Sequence, residues 1–205
     1  MLIILVFYMR TNNLKAACAV LFILSVSVFS CRHYEPAPDK DVFRYNEAGN
    51  LLSLDPAFSR LQSGVWACRQ VFSGLVRLDE TASVVPEVAK SWEISPDALG
   101  YTFHLRDDVY FHKSAAFLPQ YPDSTRAVRA SDFVYSLGRL TDPNVASPGA
   151  WTMNSVEEIK AIDDTTLYIR LKDAFPAFLS LLAMPYCAVV PHEAVDYFGP
   201  DFRTS

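Results

Sequence analysis

Two pairs of alternating segments, each pair bent around a short turn, constrain the fold of this chain most. In the first pair, residues 89–94 and 101–106 alternate apolar and polar side chains on either side of Pro96-Asp97. In the second pair, residues 156–162 and 166–171 alternate around Asp163-Asp164. Because successive side chains of a strand point to opposite faces, both pairs are predicted to be antiparallel, hairpin-like units with one buried face.

Apolar residues at helical spacing predict helices around these strands. We expect helices at residues 59–72, 132–140, 176–183 and 191–198, and further strands at residues 42–45, 76–78 and 187–190. Ser131 is the predicted N-cap of the second helix, and Pro176 is expected in the first turn of the third. This mixture of strand pairs and single helices predicts an α+β or α/β fold and excludes an all-α bundle.

The charge balance excludes one class of partner. The chain of 205 residues has a formal net charge of −5, and Arg10 and Lys15 are the only charged residues among the first thirty. The remainder is therefore more acidic still, whereas a nucleic-acid-binding surface needs clustered basic residues. No nucleic-acid partner is expected. Apolar residues make up 51% of the chain, enough for a buried core.

The first forty residues have the order of an export signal. Arg10 and Lys15 precede an apolar run, residues 16–29, which ends at Ser30-Cys31. Residues 1–30 are predicted to be a signal peptide, with Met9 as a possible true start. A transmembrane anchor is disfavoured because the run is shorter than the about 20 residues that a bilayer needs.

The end of that run resembles the lipobox of bacterial lipoproteins, in which the cysteine is acylated and becomes the first mature residue. Cys31 is thus the predicted lipidation site, and residues 31–41 a lipidated tether. An ordinary cleaved signal with an incidental cysteine is the alternative. In the remaining chain, Cys68 and Cys187 are expected to be two buried free thiols or, less simply, a disulfide.

Several separated motifs share their order and spacing with one family. They are Leu54-Asp55-Pro56, SGLVRLD at residues 73–79, PEVAKSWEISPD at 86–97, YTFHLR at 101–106 with Phe111-His112, ASDFVYS at 130–136, and VVPH at 189–192. Together they resemble the family 5 extracellular solute-binding proteins, the peptide-, dipeptide- and nickel-binding components of ABC importers. The chain departs from the family where Gly100 is displaced from its usual place after Asp97, and where Lys113-Ser114 replaces Asp-Gly.

The resemblance implies a lobe of a periplasmic-binding-protein-like type II clamshell, which closes on an extended peptide. Residues 42–75 would begin lobe I, residues 76–171 would form an extra β-rich subdomain, and residues 172–205 would return to lobe I before a second lobe. The implied partners are a peptide ligand, the ABC permease subunits and, through the lipid anchor, a membrane. An exported, periplasmic or cell-envelope location follows. A chain that ends before lobe II should bind no peptide tightly.

The candidate ligand-binding residues follow the Leu54-Asp55-Pro56 turn, a region that approaches the cleft in the family. They are Ser59, Arg60, Gln62, Ser63 and Trp66. Polar groups that lead into a helix N-terminus could bind peptide termini. The alternative is a capped helix with Trp66 in the core.

Catalytic and metal motifs are weak in this sequence. His192-Glu193 has no second histidine one turn later, and nothing aligns His104 with His112 to hold an ion. We therefore expect no enzyme, no metal and no cofactor. The function predicted is the substrate-binding lipoprotein of a peptide ABC importer. The alternatives are a nickel or other small-solute binder of the same family, a secreted hydrolase, or a structural surface lipoprotein.

Overall fold

A four-stranded antiparallel sheet, with strand order β3-β4-β6-β5, lies at the centre of the computed structural model, which describes Asn46 and residues 49–203. The strands are β1 (Val76–Leu78), β2 (Val84–Pro86), β3 (Ala89–Ile94), β4 (Gly100–Leu105), β5 (Val156–Ala161) and β6 (Thr166–Leu171). The α-helices are α1 (Gln62–Val71), α2 (Ala130–Thr141), α3 (Phe178–Leu182) and α4 (His192–Phe198). Short 3-10 helices occupy Pro56–Phe58, Ala115–Phe117, Ala150–Met153, Pro185–Cys187 and Gly199–Arg203.

Both predicted antiparallel pairs are confirmed. β3 pairs with β4, with Trp92 opposite Phe103, and β5 pairs with β6 around the Asp163-Asp164 turn. In the first turn Ala98 adopts a left-handed backbone with φ 57°. This conformation usually favours glycine, but here the glycine, Gly100, lies two residues later. Ala98 therefore adopts the turn conformation at some cost in backbone energy.

One face of the sheet carries the core. Phe103, Leu105 and the β6 residues Leu167, Ile169 and Leu171 are fully buried. They belong to a single hydrophobic cluster with Phe133, Leu137 and Leu140 of α2 and Phe178 and Leu182 of α3. Each such side chain contributes about 1.5–3 kcal/mol through burial. The alternation seen in the sequence therefore marks the face on which the helices pack.

All four predicted helices begin at residues other than those predicted. α1 begins at Gln62 instead of residue 59, and α4 begins at His192 instead of residue 191. α2 begins at Ala130, so Ser131 lies inside it and is not its N-cap. Instead, the backbone N–H of Arg129 donates to Asp132 Oδ2 at 2.8 Å. α3 begins at Phe178, two residues after Pro176, and is shorter than predicted. At α2 the hydrogen bond to Asp132, and not the apolar spacing, marks where the helix starts, whereas no side chain caps α3.

The predicted strand at residues 187–190 is wrong. Pro185–Cys187 forms a 3-10 helix, and the following residues bond singly to different elements. The N–H of Val189 donates to the Ser73 carbonyl at 2.9 Å, and that of Val190 to Ser136 Oγ at 2.9 Å. The segment is buried and extended, but it pairs neither with the four-stranded sheet nor with the two-stranded sheet formed by β1 and β2.

Several predictions fall on residues outside the described ranges. These are the signal peptide (1–30), Cys31, the tether (31–41) and the strand at 42–45. Within the described residues, no helix is long and apolar enough to cross a bilayer. Gly49 to Arg203 lie within one compact unit, and the division into segments at residues 75 and 171 stays a prediction.

A buried ion network joins α2 to α4. Arg126, with its side chain 5% exposed, donates to both carboxylate oxygens of Asp132 (2.7 and 2.8 Å) and of Glu193 (2.6 and 2.7 Å). Its guanidinium also lies 5.0 Å from the centroid of the Phe111 ring. Burial is the largest single influence and raises the pKa of Glu193, but the hydrogen bonds from Arg126, a backbone hydrogen bond and the charges of Arg126 and His192 together hold that pKa below its usual value. Glu193 is thus committed to an ion pair.

Candidate functional site

The turn before the candidate site is fixed by a buried carboxylate. Asp55 is 1% exposed and accepts a hydrogen bond from the N–H of Ala57 at 3.0 Å. Arg139 of α2 donates to both of its carboxylate oxygens, at 3.1 and 2.7 Å. The Ser53 hydroxyl accepts from the Asp55 N–H at 3.1 Å. The chain therefore reaches Ser59 on a backbone that is tied to a core helix.

The five predicted ligand-binding residues divide into two groups. Arg60, Gln62 and Trp66 are exposed, and Trp66 is 49% exposed. Ser59 and Ser63 are buried: the Ser63 hydroxyl donates to the Asn50 carbonyl at 3.2 Å, whereas Ser59 Oγ has no hydrogen-bond partner. The first group can meet a ligand directly, and the second lies beneath the surface.

The alternative of a capped helix with Trp66 in the core is wrong on both points. Leu61 precedes α1 and provides no side-chain cap. Trp66 projects into solvent for half of its surface. The first-turn N–H groups of α1 therefore have no side-chain acceptor at the N-cap position.

An open cavity of about 330 Å³ lies against this region. One wall is formed by Leu52, Ser53, Phe58, Arg60, Leu61 and Gly64. The other lining residues are Ala146, Pro148 and Arg203, from two segments much later in the chain. Of the predicted residues only Arg60 lines the cavity, so the structure brings Arg60 together with partners that sequence reasoning missed.

The wall at Ala146 and Pro148 belongs to a tightly bonded loop. Ala146 adopts a left-handed backbone with φ 51°, a strained conformation for a residue with a Cβ. The Ser147 hydroxyl donates to the Ala57 carbonyl at 2.6 Å and accepts from the Gly149 N–H at 3.0 Å. This loop is thereby bonded to the turn opposite. Its run of Pro, Asn, Ser and Gly was a turn signal, but nothing in it indicated a partner at Ala57.

Gly149 supports the same loop through a close aromatic contact. A Cβ placed on Gly149 would lie 2.5 Å from ring atoms of Tyr186, closer than any real contact. Burial raises the pKa of the Tyr186 phenol, and Arg60 is close enough to act in the opposite direction. Tyr186 thus fills the space above Gly149 and lies within electrostatic range of Arg60.

We expect the Gly149→Ala substitution to destabilise the chain by about 1–3 kcal/mol, because the new methyl group must displace the Tyr186 ring. Gly138→Ala is the matched control: Gly138 is exposed in α2, and a Cβ there would meet nothing within 4 Å. That change should stabilise the chain by about 0.5–1 kcal/mol. Urea denaturation of both variants measures the sign of each change in the free energy of unfolding. A Gly149→Ala variant as stable as wild type would contradict the close contact between Gly149 and Tyr186.

Arg203 completes the cavity from the far end of the described chain. Its guanidinium carbon lies 3.6 Å from the centroid of the Phe58 ring. Its backbone carbonyl accepts a hydrogen bond from the N–H of Leu54 at 2.7 Å. Both contacts join Arg203 to the turn that carries the predicted residues.

The cysteines and histidines lie outside this cavity. Cys68 and Cys187 are buried free thiols, so the disulfide is not formed, and burial raises the pKa of Cys187 to about 12. His104 lies 3.4 Å from Glu93 on the exposed side of the sheet. Among Asn46 and residues 49–203, no group of three His, Cys, Asp or Glu side chains is placed to hold a metal ion.

Residues 83–204, more than half of the chain, match the family described as bacterial extracellular solute-binding proteins, family 5 Middle. The chain belongs to this family of solute-binding proteins. The resemblance carried by the sequence motifs is thereby confirmed, and with it the mixed helix-and-sheet fold.

Solute-binding proteins of this kind have been described in several bacteria. The periplasmic oligopeptide-binding protein OppA of Escherichia coli (strain K12) is 34% identical over 78% of this chain and 31% of its own length. The substrate-binding domain of an oligopeptide ABC transporter from Bacillus anthracis superposes with a TM-score of 0.69 at 27% identity, over 78% of this chain and 32% of that one. DppA from Helicobacter pylori in complex with the peptide STSA gives 0.62 at 30% identity, over 73% and 30%. The chain spans about a third of the length of these relatives.

Proposed function

We propose that this chain is part of the substrate-binding component of a peptide ABC importer, and that it captures oligo- or dipeptides for delivery to permease subunits. The open cavity between the Asp55 turn and the loop at residues 142–149 carries the proposal. Support also comes from the relatives, which are an oligopeptide-binding protein and a protein in complex with a peptide.

The cavity is suited to binding and not to bond chemistry. Its lining combines apolar side chains with Arg60, Arg203 and Ser53, and in the described part of the chain it includes no His, Cys, Asp or Glu that could activate the Ser53 hydroxyl. General acid–base or nucleophilic catalysis needs such a group within hydrogen-bond reach of the substrate. We infer that the chain is not an enzyme, and that capture and release are its activity.

The predicted binding residues take different roles in this proposal. Arg60 meets the ligand from the cavity wall, and the exposed Gln62 and Trp66 follow it on α1. The buried Ser59 and Ser63 support the backbone beneath. Residues 42–75 and 172–205 are proposed to belong to lobe I and residues 76–171 to the extra subdomain.

Export and anchoring are also proposed. An apolar run that ends at Ser30-Cys31 supports a signal peptide and acylation of Cys31, which would hold the protein in the periplasm or cell envelope beside its permease. Mass spectrometry of membrane-extracted protein should find a lipid-modified N-terminal peptide that begins at Cys31. An unmodified mature N-terminus elsewhere would refute the anchor.

Peptide binding is tested by two-dimensional NMR titration of the chain with an alanine-rich tripeptide. Because the chain spans about a third of the length of its relatives, a peptide would contact only the part of the binding site that this chain provides. We therefore expect a Kd on the order of 1 mM. Chemical shift changes should cluster at Arg60, Gly64 and Ala146. The control titrations use free alanine and Ni²⁺, which should leave those signals in place. No response to peptide, or a response confined to the sheet, would overturn the proposal.

A further inference from the structure

The cavity carries two positive charges and no compensating negative charge. Arg60 and Arg203 both line it, and no carboxylate is among its lining residues. Other arginines of the described chain lie against carboxylates: Arg126 against Asp132 and Glu193, and Arg139 against Asp55. Within the described residues, neither Arg60 nor Arg203 forms an ion pair, so both guanidinium groups are available to a ligand.

Arg203 is already positioned to donate. The stacking of its guanidinium on the Phe58 ring occupies the flat face of the group. The N–H donors of a guanidinium lie in its plane, so stacking leaves them free to form paired hydrogen bonds with a carboxylate. The backbone hydrogen bond between Leu54 and Arg203 fixes the main chain at this position. Less side-chain freedom remains to be lost on binding than for an unstacked arginine.

The surroundings favour an anion further. Leu52, Leu61 and Pro148 line the same cavity and present no carboxylate that would compete for the arginines. Gly64, in the first turn of the ten-residue helix α1, also lines it, and a helix N-terminus attracts negative charge.

We propose that this cavity is a carboxylate subsite, in which Arg60 and Arg203 together bind the carboxylate of a peptide ligand. The inference rests on the proposed peptide-binding function and adds a ligand class to it. The carboxylate belongs either to an acidic side chain or to the peptide C-terminus, because the two arginines offer the same recognition to both. Peptides with basic side chains and an amidated C-terminus are disfavoured.

NMR titration of the chain with short peptides distinguishes the two sources. The peptides are Ala-Glu-Ala, Ala-Gln-Ala and Ala-Lys-Ala, each with a free and with an amidated C-terminus, and the arginine Nε–H signals are followed directly. Amidated Ala-Glu-Ala that binds about 3- to 10-fold more tightly than amidated Ala-Gln-Ala identifies a side-chain carboxylate. Free Ala-Gln-Ala that binds by the same factor more tightly than its amide identifies the terminal carboxylate.

Arginine variants test whether these two side chains are responsible. Arg60→Gln and Arg203→Gln should each reduce the preference for the carboxylate peptide about 3- to 10-fold. The matched control is Arg69→Gln, which removes the same charge from an exposed residue in the last turn of α1. If all six peptides bind equally, or if the preference persists in the Arg60→Gln/Arg203→Gln double variant, the carboxylate subsite is refuted while peptide binding stands. If none of the six binds, the proposed function itself fails.

Discussion

Replacing Arg126 with leucine is expected to lower the free energy of unfolding by about 3–5 kcal/mol. The substitution leaves Asp132 and Glu193 as two buried carboxylates, 3% and 6% exposed, with no cation between them. Removing one partner of a buried ion pair costs far more than the pair contributes, because the remaining charge stays desolvated. Urea denaturation at neutral pH measures the loss.

The response to pH gives this prediction a second, independent readout. The pKa of Glu193 is lower in the folded state than in the unfolded state, where it is about 4.3. The ion pair therefore stabilises the wild-type fold fully above that unfolded-state pKa. This stability is lost as the pH falls through the lowered pKa of the folded state. In Arg126→Leu the two carboxylates lose the cation that they share, and only the half-exposed His192 remains beside Glu193, at 3.2 Å. Protonation then relieves the repulsion between the carboxylates, so the loss should shrink as the pH falls.

Arg106→Leu is the matched control for Arg126. Arg106 makes two hydrogen bonds to Asp108, at 2.9 and 3.0 Å, but the pair is exposed to solvent. Exposed ion pairs contribute little, so this variant should unfold close to wild type at any pH. Equal losses in the two arginine variants would show that burial of the network is not what makes it matter.

Asp55→Ala is expected to destabilise the chain by about 3 kcal/mol, the second largest effect. It removes the partner of Arg139, whose side chain is 11% exposed, and the acceptor of the Ala57 N–H. Asp55→Asn retains an acceptor for Ala57 but not the charge, and should fall between alanine and wild type. Denaturant titration of the three proteins gives the order.

Asp79→Ala controls for the loss of an aspartate that accepts several hydrogen bonds. Asp79 accepts from Thr81 and Ser83 in an exposed turn and has no ion-pair partner among the described residues. Water can replace those hydrogen bonds, so the loss should be much smaller than at Asp55. A comparable loss would mean that turn formation, and not the contact with Arg139, accounts for the effect at Asp55.

The parts of the fold that local patterns control were predictable. The alternation at residues 89–94 and 101–106 placed two strands next to each other, because period-two burial and a short turn specify a hairpin. The pattern failed at residues 187–190, where a buried apolar run adopts extended backbone without joining a sheet. An apolar run indicates that a segment is buried, but it does not indicate which partners its backbone groups will hydrogen-bond to.

The candidate site was predictable only on one side. The family resemblance pointed to residues 59–66, and Arg60 lies at the cavity. The loop that carries Ala146 and Pro148 is held at the cavity by a hydrogen bond from Ser147 to Ala57. The Arg203 side chain is held there by stacking on Phe58. Contacts between residues so far apart in the chain leave no periodic signal in a single sequence, so tertiary structure is needed to find them.

The hydrogen bond between Leu54 and Arg203 has a consequence for the order of folding. The sheet contains two hairpins whose strands are close in sequence, and such local contacts form with little loss of chain entropy. The pairing of β4 with β6 joins the two hairpins across a longer segment, which is still much shorter than the one between Leu54 and Arg203. Leu54 and Arg203 lie near opposite ends of the described chain, so the cavity between them requires the largest loop to close. Refolding should therefore produce the sheet before the cavity, and a ligand added during refolding would stabilise only the final step.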